Sequence, residues 1–438
     1  MLQYPSMTKL HGLLIAALAL LTTTALAQKY VGGDISCLPI YEKAKAVYKT
    51  HDGSVIPDLV AYSKQAGMNA MRVRLFVNPT GQTTNSSSPY AWTADSNVCQ
   101  NLEWVKNLGK RIKNAGMKFM LDLHYSDTWA DPGKQWTPEA WASLDDAALA
   151  DTVYSYTRRV LAELSAAGAE PDFVQTGNEI SYGMLWGRPG ASLLQCWPSS
   201  PTANWDRFAI LLNKAVKAVR DGSPKAKVIL HVERVSANTS LQGDNANYAA
   251  LKNFFSKMND YGISYDIIGL SYYPYFHGAL SDLEGAIRVL ETDCPEKQVM
   301  VVETGYPYAW AVGSSSYDAS GTWAYSDEGQ KAFADSLVTM LGRHNNVNGL
   351  FWWWMEYNAY GAGLEGWYNA PLFDSRTGCA TSAFYELAKF AQNSTGIVAM
   401  KASPASDSRH YYDVSGRVIS GPRGLYIHEG KKHVVPIR

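Results

Sequence analysis

The stretch FVQTGNEIS, residues 173–181, starts as a short apolar run of the kind that forms a buried strand, and it ends on Asn178 and Glu179 side by side. Burying a carboxylate costs several kcal/mol unless something satisfies it. A strand that ends this way needs an architecture in which strand ends meet at a functional surface.

Working outward, short β-rich runs alternate with amphipathic helical stretches. The spacing predicts strands at 31–36, 70–77, 118–124, 172–176, 227–232, 266–272, 298–303 and 349–353. Helical periodicity falls between them at 56–66, 102–115, 147–167, 205–220, 248–261, 280–291 and 328–342, with another helix at 382–392. Turn signals such as NAGMK and DGSPKAK separate them. Apolar strands in strict alternation with helices indicate a parallel sheet. The series of units fits a (β/α)8 TIM barrel with long loops. An open, doubly wound sheet is the alternative, but no glycine-rich nucleotide loop follows the first strand.

Catalytic groups in such a barrel sit at the C-terminal ends of strands. Glu179 closes the fourth unit, and Glu303, in VMVVETGYPY, closes the seventh, 124 positions later. Two glutamates on strands four and seven face each other across the barrel mouth. Glycoside hydrolysis with retention needs that arrangement: one acid to protonate the leaving oxygen, and one carboxylate about 5–5.5 Å away to attack the anomeric carbon. A single glutamate at a strand end is more often a salt-bridge partner; the pair, with Asn178 before one member, favours catalysis. Glu233, after the fifth strand, and Glu356, after the eighth, compete for the role, but neither follows an asparagine.

Composition excludes several alternatives. With 39 basic and 40 acidic residues there is no electrostatic footprint for nucleic acid or an anionic membrane. The 14 Trp and 27 Tyr include rings near strand ends, where flat aromatic faces can hold sugars, although most must be core. Five scattered cysteines, Cys37, Cys99, Cys196, Cys294 and Cys379, lack metal-site spacing and leave any disulfide connectivity open. Residues 1–27 read as a secretory signal, with Lys9, an apolar core at 13–21 and Ala25-Leu26-Ala27 as a cleavage site. The core is too short to span a bilayer, and no later segment is long and apolar enough to do so. The expected organisation is a catalytic barrel over 28–395, then a linker and small β module over 396–438, in a monomeric protein secreted or held at a bacterial cell surface.

The motifs QTGNEI, LDLHYSDTWADPGKQ, MRVRLFVNP, GLSYYPYF and VVETGYPY together resemble glycoside hydrolase family 53, the endo-β-1,4-galactanases, over about residues 30–391. The resemblance implies a retaining enzyme with Glu179 as general acid/base and Glu303 as nucleophile. It implies that Asn178 bonds the sugar 2-hydroxyl and that Trp353, in GLFWWWMEY, is the platform at the cleavage point. Arg74 is assigned to hold Glu303 ionised, and Tyr273, in preference to Tyr272, to donate to it. His124 is expected to donate to a sugar hydroxyl, with Asp127 and Trp129 shaping the same subsite. Trp352 and Trp354 are expected to pack outward beneath the helices. Trp354 stands where the family usually has glutamate. The loop AWAVGSSSYDASGTWAYSDEG lacks the Asp, His and Asn cluster through which some bacterial relatives bind calcium, so a structural calcium is left open but unsupported by the sequence, and the two glutamates are expected to need no cofactor for catalysis. The substrate implied is galactan or a galactooligosaccharide. A mannanase or glucanase of the same clan, and a glycan-binding barrel without catalysis, are the rival readings. The last would lack one strand-end glutamate, and both are present.

Overall fold

The computed structural model describes residues 28–79, 95–197, 199–236, 248–364 and 368–392, together with four strands in the C-terminal region. The signal reading at 1–27 and the KASPASDSRH linker lie outside the described residues. The chain divides into two compact units, Met1–Ser394 and Thr395–Arg438.

Eight strands make the first unit: β1 Tyr30–Asp34, β2 Ala70–Leu75, β3 Lys118–Leu123, β4 Phe173–Thr176, β5 Lys227–Val232, β6 Ile267–Tyr272, β7 Gln298–Thr304 and β8 Val347–Trp352. Each pairs in parallel with the next, and β8 closes on β1, so the sheet is the (β/α)8 barrel expected. A parallel barrel covers both faces of every strand, which is why these runs read as nearly continuous apolar sequence. Helices return the chain between strands. Several begin where a polar side chain caps the first turn: Asp58 accepts from Val60 N and Ala61 N, Asn101 from Trp104 N, and Asp145 from Ala148 N. Each such cap stabilises its helix by about 1 kcal/mol. Strand ends fall a residue or two from expectation. β8 starts two residues earlier and stops at Trp352, because the left-handed backbone of Trp354 (φ 51°) turns the chain away.

The barrel interior changes character with height. Its N-terminal end is plugged by apolar side chains from successive strands, including Ala70, Met120, Phe173, Ile229, Ile267 and Phe351. Packing there is close: a Cβ on Gly32 would meet Ala70 O at 1.7 Å. Above the plug the inward residues become polar: Asp34, Arg72, Asp122, Gln175 and His231, all buried. Outside the strands, Trp352 packs edge-on against Phe333 of the helix Asp327–Gly342. Burial of such a ring contributes about 1.5–3 kcal/mol.

The second unit contains β9 Tyr411–Asp413, β10 Val418–Ile419, β11 Gly424–His428 and β12 Lys431–Val435, in an antiparallel sheet of order β10-β9-β11-β12. The five cysteines are free thiols. Among the described residues no helix is long and apolar enough to cross a membrane.

Candidate active site

The turn after β4 shows how the sequence presents its glutamate. Gly177 has φ 112°, and a Cβ there would meet Ile180 Cγ2 at 2.5 Å. Glu179 is left-handed too, at φ 48°, a strained region for a residue with a side chain. The strain is held from several sides. Gln135 Nε2 donates to Asn178 O at 2.7 Å, and Ile180 N donates to His231 O at 2.9 Å. Asn178 is clamped by its side chain: Oδ1 accepts from Arg72 Nη2, and Nδ2 donates to Ala130 O. One Nδ2 hydrogen is left over for a ligand.

Arg72 is the hub below this turn. Its Nε donates to Gln175 Oε1 at 2.8 Å and its Nη1 to Asp34 at 2.9 Å. Its Nη2 lies 2.8 Å from Asp122 Oδ2 and 2.9 Å from Glu303 Oε1. A buried guanidinium is tolerable because every direction of its planar fork meets an acceptor. Burial pushes the Asp122 carboxyl up, but Arg72 and His124 more than reverse this and hold it at about 2.

Glu303 and Glu179 share one cleft and have different surroundings. Burial raises the Glu303 carboxyl, opposed by Arg72 and by Tyr273, whose hydroxyl donates to Oε2 at 2.8 Å. Burial also pushes the Tyr273 hydroxyl well above its ordinary range, so it remains a donor. Glu179 is pushed well above the usual carboxylate range, by burial first and then by Glu303 and Glu233. Of the two, Glu303 has the cation, so Glu303 ionises first and Glu179 keeps its proton. Environments that drive two carboxyls apart in this way define one base or nucleophile and one acid.

The cleft, about 610 Å³, is walled by Trp129, Trp353, Trp354, Tyr368 and Phe276. Trp353 meets Tyr273 and Tyr368 edge-on, at 6.4 and 5.6 Å between centroids. Trp129 is fixed by its edge and one face: Nε1 donates to Asp95 at 2.7 Å, and the Arg74 guanidinium lies 4.4 Å from the ring centroid. Such rings suit the C–H faces of sugars.

The structure brings Asn178, Glu179, Glu303, Tyr273, His124, Trp129, Trp353 and Arg74 to this cleft, and it changes four assignments. Arg72, not Arg74, pairs with Glu303; Arg74 Nη1 goes to Asp34 and its Nη2 to Cys37 Sγ. His124 is no free donor. Its Nδ1 accepts from Ala130 N, which places the proton on Nε2, and Nε2 faces Asp122 at 3.0 Å. Asp127 does not line the cleft. Its carboxylate accepts from Asn78 N and Glu139 N and so ties two loops together. Trp352 packs outward as expected, but the left-handed turn brings Trp354 into the cleft wall. Of the competing glutamates, Glu356 is fully buried and accepts from Cys37 N, whereas Glu233 lines the cleft and accepts from Ser181 Oγ at 2.6 Å. Tyr272 points elsewhere, donating to Gly278 O.

Sequence reasoning missed Asp34, Asp122, Gln135, Gln175, His231 and Ser271. The signal for most of them was a lone polar residue near the end of an apolar strand, as in YVGGD, KFMLDL, FVQT and KVILHV.

Comparison with known proteins adds an independent line. The sequence model of glycosyl hydrolase family 53 matches residues 30–387. An arabinogalactan endo-beta-1,4-galactanase of Cellvibrio japonicus is 34% identical, over 83% of this chain and 91% of its own. The arabinogalactan endo-beta-1,4-galactanase A of Emericella nidulans is 30% identical, over 80% of this chain and 91% of its own. Among solved structures, the Ignisphaera aggregans GH53 catalytic domain superposes with a TM-score of 0.67 at 29% identity, covering 82% of this chain and 95% of that one.

Proposed function

Because the chain belongs to glycosyl hydrolase family 53 and is a glycoside hydrolase, we propose that it cleaves β-1,4-galactosidic bonds within galactan by retaining double displacement. The observation that carries this reading is the carboxyl pair at the ends of β4 and β7, one paired with a guanidinium and one not. Glu303 attacks the anomeric carbon while Glu179 gives its proton to the departing oxygen. Glu179, now ionised, then takes a proton from the water that releases the sugar. Trp353 and Trp129 support the sugars on either side of the reacting ring, and Asn178 uses its remaining hydrogen on the 2-hydroxyl. Galactan as the chain cleaved is supported by the names of the relatives, and pectic side chains are the form of galactan proposed. Proton transfer and carboxylate attack need no metal, so EDTA should leave initial rates unchanged. The signal-like sequence at residues 1–27 supports the further reading that the enzyme acts outside the cell.

Purified galactan, mannan and cellulose should be compared by viscosity, reducing ends and early-time proton NMR. The expected result is a fall in galactan viscosity before much reducing sugar appears, with the β-anomer formed first. Cleavage of mannan or cellulose in preference to galactan would overturn the substrate. First appearance of the α-anomer would overturn the double displacement.

A further inference from the structure

Glu233 shares the cleft with the two glutamates and has no part in the mechanism above. It follows β5, the strand paired with β4, and is tied to the turn that carries Glu179: Ser181 Oγ donates to its Oε2 at 2.6 Å. Arg234 approaches the other oxygen, with Nε 3.4 Å from Oε1. That arginine is itself fixed, because its guanidinium lies 4.0 Å from the centroid of the Tyr182 ring. Ser181 and Arg234 are buried, whereas the Glu233 side chain is 11% exposed and lines the cleft. A carboxylate accepts through several lone pairs at once, so it can take a ligand hydroxyl while Ser181 and Arg234 keep it in place. On the next strand unit, past β6, Phe276 also lines the cleft and is 40% exposed. Its ring is braced edge-on by Tyr275 at 4.7 Å and Tyr273 at 6.0 Å. An acceptor for hydroxyls and an apolar face for C–H groups, presented from neighbouring strands, are the two parts a sugar site uses.

We infer that Glu233 is a specificity-determining residue on the leaving-group side of the cleft, where it accepts hydrogen bonds from the hydroxyls of the sugar that departs. The inference rests on the reading of Glu179 as acid/base and deepens it. Position decides the side. Glu303 of β7, Asn178 and Trp353, which follows β8, bound the reacting ring. Glu179 has to reach the bridging oxygen, so the sugar beyond that oxygen lies against Glu179 and the groups next to it. Glu233 is such a group, joined to the same turn through Ser181. Chemistry decides the ligand. A departing galactose carries hydroxyl donors around its ring, whereas a nitrophenol or a simple alcohol has none beyond its reacting oxygen. A carboxylate fixed before binding loses little freedom when it takes those hydroxyls, so more of each hydrogen bond appears as affinity.

The test uses the full chain and one intermediate with competing fates. A 4-nitrophenyl β-1,4-galactobioside forms the glycosyl-enzyme, and galactose and methanol compete with water for it. In transfer to galactose, the 4-hydroxyl oxygen of the acceptor bonds the anomeric carbon. The ester bond to Glu303 breaks with its electron pair left on the carboxylate, and the hydroxyl proton passes to Glu179. This is the cleavage step reversed, so the acceptor occupies the leaving-group side. Both transfer products come from the same intermediate and use the same base. The ratio of galactotriose to methyl galactobioside therefore reads binding on that side, and it cancels whatever a substitution does to the fold or to Glu179. Glu233→Ala should lower the ratio at least about tenfold, the loss expected for hydrogen bonds to a charged acceptor. Glu233→Gln keeps an acceptor oxygen in the same volume and should lower it about threefold, and it provides the readout should the Ala variant not fold. In either variant kcat/KM for galactotetraose should fall further than kcat/KM for the aryl substrate. An unmoved ratio, with both transfers slowed together or not at all, would make Glu233 a structural partner of Ser181 and Arg234. That result overturns the inference and leaves the acid/base reading standing. If the original protein formed no β-methyl galactobioside, the double displacement would fall, and this inference with it.

Discussion

Glu303 sits 2.9 Å from one arginine and 2.8 Å from one tyrosine hydroxyl, and each contact favours its ionised form against burial. The arginine also has structural partners, so replacing it would disturb the barrel as well as the chemistry. Tyr273→Phe is cleaner, because only the hydroxyl is lost. A hydrogen bond to the charged form lowers a carboxyl's pKa, so its loss raises that of Glu303. As the proposed nucleophile, Glu303 must be ionised, so the acid limb of kcat/KM should move to higher pH by about one unit, and kcat should fall about tenfold at neutral pH. Steady-state kinetics across pH checks this. An acid limb that stays in place would mean that Arg72 alone sets Glu303.

The turn after β4 carries two left-handed residues in three, Gly177 and Glu179. Only glycine fits the first, for both backbone and space, since its Cβ would strike Ile180. Gly177→Ala should therefore cost at least about 2 kcal/mol in urea unfolding and lower kcat more than tenfold, with KM less affected, because it displaces the Glu179 carboxyl. Unchanged stability and kcat would show that the turn relaxes without the glycine. Elements of this kind mark the limit of what sequence reveals. The strands were legible because parallel strands are apolar on both faces, and the helices because amphipathic periodicity and turn signals such as NAGMK and DGSPKAK set them off. The glutamates were legible because the barrel fixes where strand ends face. The partner of Glu303 was not. Arg72 and Arg74 both point inward, and they differ only by a two-residue rise, about 6–7 Å along the strand. The lower one reaches Glu303 because the upper one is held by Asp34, Cys37 and Trp129. Trp354 was misjudged because alternation along a strand says nothing once the backbone turns left-handed. Asp127 was misjudged because its use by two backbone N–H groups depends on loops meeting in space.

For the barrel as a whole, the polar layer above the apolar plug ties folding to pH. Asp122 is held at about 2 in the folded protein, against about 3.9 in an unfolded chain. Its folded pKa is depressed, so its contribution, about 2 kcal/mol, is present above pH 4 and lost as pH falls through 2. His231 and His277 act in the same direction. Burial lowers both, His277 to about 4, so unfolding lets them bind protons below about pH 6.5. Glu179, Glu303 and Glu356 oppose them from neutral pH downward, because their raised carboxyls take up protons first in the folded state. That opposition stops growing once unfolded carboxyls also protonate, near pH 4.3. Between pH 7 and 5 the groups offset one another, whereas below pH 4 all remaining slopes have one sign. Tm measured across pH should therefore change little above pH 5 and fall steeply between pH 4 and 2. Asp122→Asn should lower Tm at neutral pH, since Arg72 loses a charged partner, and should flatten the fall below pH 4. If the variant and the original protein lost Tm in parallel between pH 4 and 2, the Arg72–Asp122 pair would not be the source of the acid sensitivity.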